Sequence, residues 1–103
     1  MITASVAATR KLRELFERQL GLSIWDQGKV SVRHGEDDEV ESLVYRGEVN
    51  GRRYAIRVVS TDDHPPLGLM ELTLGAKAVA AGAFDDLTFA SFKPHLTGDF
   101  HEE

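Results

Sequence analysis

"EVESLVYRGEVNGRRYAIRVVS", Glu39 to Ser60, is the stretch that decides how this chain folds. Asn50-Gly51 is the pair best suited to a two-residue hairpin turn, because both central residues of that turn take positive φ. With those two at the turn, Val49 faces Arg52 and the pairing of the whole ribbon is set. Leu43 then opposes Val58, Tyr45 opposes Ile56 and Gly47 opposes Tyr54, all on one side. The other side pairs Glu48 with Arg53 and brings Arg46 near Arg57. A slip of one residue would send every side chain to the wrong face, so turn chemistry and apolar pattern select the same register.

Outward from the hairpin, Lys29 to His34 ("KVSVRH") alternates, with Val30 and Val32 on one side and Lys29, Ser31 and Arg33 on the other. That is a half-buried strand. The acidic loop "GEDDE" joins it to the hairpin as a three-stranded antiparallel meander. Upstream, residues 4–20 read as a helix with Val6, Ala8, Leu12, Leu15, Phe16 and Leu20 on one face. Thr3 or Ser5 caps it, Glu14–Arg18 and Arg13–Glu17 pair along its polar side, and Gly21 stops it. Residues 22–27 lead out, with a turn at Asp26-Gln27-Gly28.

Downstream, "PLGLMELTLGAKAVAAGA" (66–83) is apolar around nearly its whole circumference and alanine-rich at its end. Gly68 and Gly75 weaken a helix, and "LMELTL" (69–74) alone also suits a strand. We nevertheless read the stretch as a buried second helix ended by Gly82, since alanine is poor strand material. Residues 86–92 ("DLTFASF") then read as a fourth strand, and 94–103 as a loose tail. The expected architecture is one compact α+β domain over residues 1–103, in the order α-β-β-β-α-β. Its sheet packs against two helices.

The composition limits what such a domain does. The 103 residues contain no cysteine, so disulfides, thiolate zinc sites and cysteine nucleophiles are excluded. No run is long and apolar enough to span a membrane, and the N-terminus has no signal-peptide core, which predicts a soluble, cytoplasmic protein. The net charge of −5 is unevenly spread. Residues 1–34 hold six basic and three acidic side chains, whereas residues 58–103 hold two basic and eight acidic. A net acidic chain does not suit nucleic acid, but this polarity suits a charged protein partner.

"STDDHPPLG", Ser60 to Gly68, is the one stretch that invites a catalytic or metal-binding reading. Asp62, Asp63 and His64, joined by Glu71, are ligand types for a divalent ion, and they define a metal-dependent enzyme or anion-binding alternative. Adjacent residues in an extended loop point apart, however, so at most two of the three share a point. As structure, the aspartates cap a helix start, Pro65 keeps His64 out of helical geometry, and Pro66 suits a first turn. No nucleophile elbow, phosphate loop or dinucleotide fingerprint is present, and no cofactor is expected.

Lys29, Arg33, Arg46, Arg53 and Arg57 all project from the polar side of the predicted sheet, where Glu48 alone compensates them directly. They make a compact basic patch on an acidic protein, suited to an anion or an acidic protein surface. No aromatic residue interleaves with them, as base stacking would need. Trp25, the only tryptophan, is a core or rim residue, or a binding hot spot if exposed.

The element order is similar to the core of the restriction-endonuclease-like nucleases. Their Glu-X-Lys strand is replaced here by Tyr54-Ala55-Ile56-Arg57-Val58, which removes the metal-binding part. "LFERQLGLSIWDQGKVSV" (Leu15 to Val32) resembles the opening helix, Leu-Gly-Leu stop and first strand of the small acidic secretion chaperones. Together these readings predict a small non-catalytic protein-binding module, an inhibitor, adaptor or chaperone-like protein. Its size and acidity match those of phage-encoded inhibitors that act on host complexes. Residues 66–83 are the expected face of a homodimer.

Overall fold

In the computed structural model, which describes residues 3–34, 41–60 and 68–97, Asn50 and Gly51 have φ of 52° and 78°. The expected turn is present, and it joins Glu41–Val49 (β2) to Arg52–Ser60 (β3). Leu43 faces Val58, Tyr45 faces Ile56 and Gly47 faces Tyr54, the register the sequence specified. Lys29–His34 (β1) adds antiparallel to β2, completing the expected meander.

The sheet then continues where a helix was expected. Within the stretch 66–83 there is no helix among the described residues: Gly68–Leu74 (β4) and Lys77–Ala83 (β5) are strands, and the sheet order is β1-β2-β3-β4-β5. Their turn is Gly75-Ala76, with Gly75 at a φ of 61° in the first central position. Glycine there is the requirement of a tight primed hairpin turn, which overrides the alanine composition of residues 76–83. Met70 and Leu72 alternate into the core while Leu69, Glu71 and Thr73 face the other way. Val79 is an extra residue in β5, making a bulge opposite the Leu72–Thr73 step.

The residues expected to form a fourth strand belong to a helix, Asp86–Thr97 (α3). Asp85 is its cap: its carboxylate accepts the Thr88 N–H at 2.9 Å, which holds that carboxyl below its ordinary range. Phe89, Phe92 and Leu96 form the buried stripe. Residues 94–97, placed in a tail by the sequence, complete the last turn of α3; the remainder of that tail lies outside the described residues. Gly82 lets α3 approach β5, because a methyl there would meet the Thr88 side chain.

Thr3–Gln19 (α1) is the expected first helix, with Ala8, Leu12, Leu15 and Phe16 buried. Val6, assigned to the same face, is 58% exposed near the start of the helix. The expected caps Thr3 and Ser5 have side chains outside the described residues. Gly21 takes a φ of 97°, and the chain then turns once more as Leu22–Asp26 (α2), where an irregular lead-out was expected. Arg18 pairs with Asp86 of α3 at 2.8 Å. Gln19 Nε2 also donates to the Asp86 carbonyl at 3.1 Å, tying the two long helices together.

Both long helices lie on one face of the sheet. Leu12, Phe16, Tyr45, Ile56, Leu72 and Phe89 belong to a single buried cluster. The Tyr45 ring stacks on Trp25 with centroids 4.8 Å apart and 12° between planes. Its hydroxyl donates to the Ile24 and Trp25 carbonyls at 2.8 and 2.9 Å. Gly28 is required beneath that ring, since a Cβ there would overlap it. Burial pushes the Tyr45 hydroxyl well above its ordinary range, with the Tyr54 hydroxyl adding to the effect. No helix among the described residues is long and apolar enough to cross a membrane.

Candidate protein-binding face

Strand alternation puts one row of side chains under the helices and the next row on the opposite side. No helix among the described residues packs on that opposite side, although Val44 and Ser42 at its centre are buried, at 6% and 8% exposure. Its cross-strand rows are set by the register. One runs Lys29, Arg46, Ala55, Thr73, Ala78. The next runs Ser31, Val44, Arg57, Glu71, Ala81, and a third runs Arg33, Ser42, Val59, Leu69, Ala83. All five basic residues singled out in the sequence therefore share one face.

The face is divided. Lys29, Arg33, Arg46, Arg53 and Arg57 occupy β1 to β3, while β4 and β5 contribute Leu69, Thr73, Ala78, Ala81 and Ala83 with a single Glu71. Two shallow depressions match this division. One of about 870 Å³ is lined by Lys29, Ser31, Arg46, Glu48, Arg53 and Ala55, among others. The other, about 420 Å³, is bounded by Arg57, Val59, Leu69, Glu71 and Ala81.

The register also sorts the cations by what opposes them. Arg53 faces Glu48 and Arg57 faces Glu71, so each has an acid directly across the ladder. Lys29 faces Arg46, and Arg33 faces Ser42. Like charges directly opposite are destabilising, and Lys29, Arg33 and Arg46 have no acid directly across the β1–β2 ladder among the described residues. Arg46 donates to Ser31 Oγ at 3.2 Å, which holds its guanidinium over β1. None of the five makes a salt bridge among the described residues. The sequence identifies all five but does not single out these three, because a helix over 66–83 would keep Glu71 away from Arg57.

The other candidates fall elsewhere. Trp25 is half-buried, stacked on Tyr45 and edge-on to Phe16 at 5.4 Å, so its ring packs against the core cluster. Asp62, Asp63 and His64 lie outside the described residues. Glu71, their proposed companion, sits on the open face opposite Arg57. No group of three or more metal-ligating side chains gathers among the described residues. No protein-family model, curated protein or solved structure matches this chain.

Proposed function

We propose that this chain is a protein-binding module of the inhibitor or adaptor type, and that its open sheet face receives an acidic segment of a partner. The observation that carries this reading is the group Lys29, Arg33 and Arg46, which has no acid directly across the ladder among the described residues, on a face that no described helix covers. Cations held side by side without acids are stabilised by an incoming carboxylate, and such complementarity chiefly supplies specificity and association rate. Leu69 of β4 and the alanines of β5 offer an apolar flank beside the charged one, which a partner segment also covers.

The test is fluorescence anisotropy with matched peptides rich in glutamate or in lysine, and a single-stranded RNA of similar length. The glutamate peptide is expected to bind at low salt and to weaken as salt screens it. A K29Q/R33Q/R46Q variant is expected to lose roughly tenfold in affinity, about 1.4 kcal/mol. Preference for RNA over the acidic peptide, or an unchanged affinity in the variant, would remove the proposal.

A further inference from the structure

The two edges of the sheet differ in a way that bears on how a partner engages. β5 is guarded by the bulge at Val79, a device that spoils an edge as a template for another strand. β1 carries no bulge and is guarded only by the like charges of Lys29 and Arg33: its six residues pair with β2 in unbroken register from Lys29↔Arg46 to His34↔Glu41. An edge strand presents a row of backbone N–H and C=O groups away from its one neighbour.

The side chains of β1 are two-sided. Lys29, Ser31 and Arg33 stand on the open face with Arg46 behind them. Val30 and Val32 stand on the helix side, at 38% and 37% exposure, whereas Tyr45 and Leu43 opposite them are buried. The helical layer therefore stops one strand short of the edge. A strand added beside β1 would meet cations with one set of alternate side chains and valines with the other.

We infer that β1 is a docking edge for an extended segment of a partner protein, about six residues long, in which carboxylates alternate with apolar side chains. The segment pairs its backbone with β1, sets its carboxylates beside Lys29 and Arg33, and covers Val30 and Val32 with its apolar residues. A second copy of this chain does not fit through the same strand. Pairing β1 with itself would bring Lys29 and Arg33 against a row that contains no acid. This inference rests on the open-face reading above and adds to it the conformation, pattern and location of the bound segment.

The experiment uses labelled hexapeptides that alternate glutamate and valine, with a comparison peptide of the same composition in two blocks. Two further alternating peptides are N-methylated at every second amide, one in each parity. The alternating peptide is expected to bind roughly tenfold more tightly than the blocked one. One methylated parity is expected to abolish binding and the other to preserve it, because an added strand bonds through only one of its edges. A V30E/V32E variant, at positions already part-exposed, is expected to lose this preference while keeping its affinity for the blocked peptide.

Equal binding of alternating, blocked and both methylated peptides, all lost in K29Q/R33Q/R46Q, would overturn edge pairing and leave the open-face reading standing. No binding of any acidic peptide would overturn both. An equally tight alternating lysine-valine peptide would overturn the charge assignment. A dimer in sedimentation that V30E/V32E converts to monomer would assign the edge to a second copy instead, and overturn the inference.

Discussion

Strand β3 belongs to two environments at once. Tyr54, Ile56 and Val58 are buried beneath the helices, while Arg53 and Arg57, between and beside them, stand in solvent on the other face. On the covered side each residue has packing partners from several elements, so shape decides what is tolerated. On the open side, neighbours in register include a lysine facing an arginine, an arrangement that does nothing for folding. The difference teaches that the covered face specifies the fold, whereas the open face carries charge in excess of what folding requires. That excess is the physical ground for the binding role proposed for it.

The sharpest way to break this comparison is to remove one large apolar side chain from each face. Phe89→Ala, at a fully buried position, is expected to cost about 3–5 kcal/mol. Leu69→Ala, 65% exposed on the open face, is expected to stay within about 0.5 kcal/mol. Urea melts of both variants decide it, and a comparable loss in each would mean that the open face is covered in solution.

A smaller effect is expected on the alkaline side. Tyr45 and Tyr54 titrate higher in the folded chain than their ordinary value of 10.0, chiefly because burial disfavours the phenolate. Their contribution is therefore complete below that value. Above it the unfolded chain releases protons that the folded chain retains, so stability falls as pH rises. Urea midpoints taken at neutral pH and above pH ~10 should show the decline. Tyr45→Phe/Tyr54→Phe should flatten it, and an unchanged slope in that variant would place the alkaline titration elsewhere.

The smallest effect sharpens the open side. Lys29→Glu converts the like-charge pair with Arg46 into an opposite pair, and is expected to stabilise by about 0.2–1 kcal/mol at low salt. The gain should fade at high ionic strength. A loss of stability would show that Lys29 serves the fold.

How much of this is legible in the sequence depends on which signals overlap. The β2–β3 hairpin carries two independent signals, Asn50-Gly51 and strict alternation, and its register can be read residue by residue. In β4, Met70 and Leu72 alternate as well, but Leu69 fills an outward position with an apolar side chain and hides the period. The alanines of β5 are disfavoured in strands on average. Here it is Gly82 that suits a strand beneath a close-packed α3, a requirement set by tertiary structure, while Ala78, Ala81 and Ala83 stand on the opposite face. Asp85, three residues before Thr88 and ahead of Phe89 and Phe92, is the cap signal for α3 that a strand over 86–92 leaves without a role.

The basic residues of the site are legible because alternation alone places them together. Their division into compensated and uncompensated members is not, since it needs the β3–β4 register that delivers Glu71 to Arg57. The uneven defence of the two edges is equally hidden, because the bulge at Val79 leaves no mark in composition.

The sheet order, which is also the order of the strands along the chain, bears on how the molecule assembles. Every strand pair is local in sequence, so each closes a short loop, and the entropy lost in closing a loop grows with its length. The contact that joins the most distant elements of the described chain is between the helices, where Arg18 reaches Asp86 across 68 positions. Folding is therefore expected to spread outward from the Asn50-Gly51 turn, with the docking of α1 against α3 as its closing event. Substitutions along that helical seam should then speed unfolding more than they slow folding.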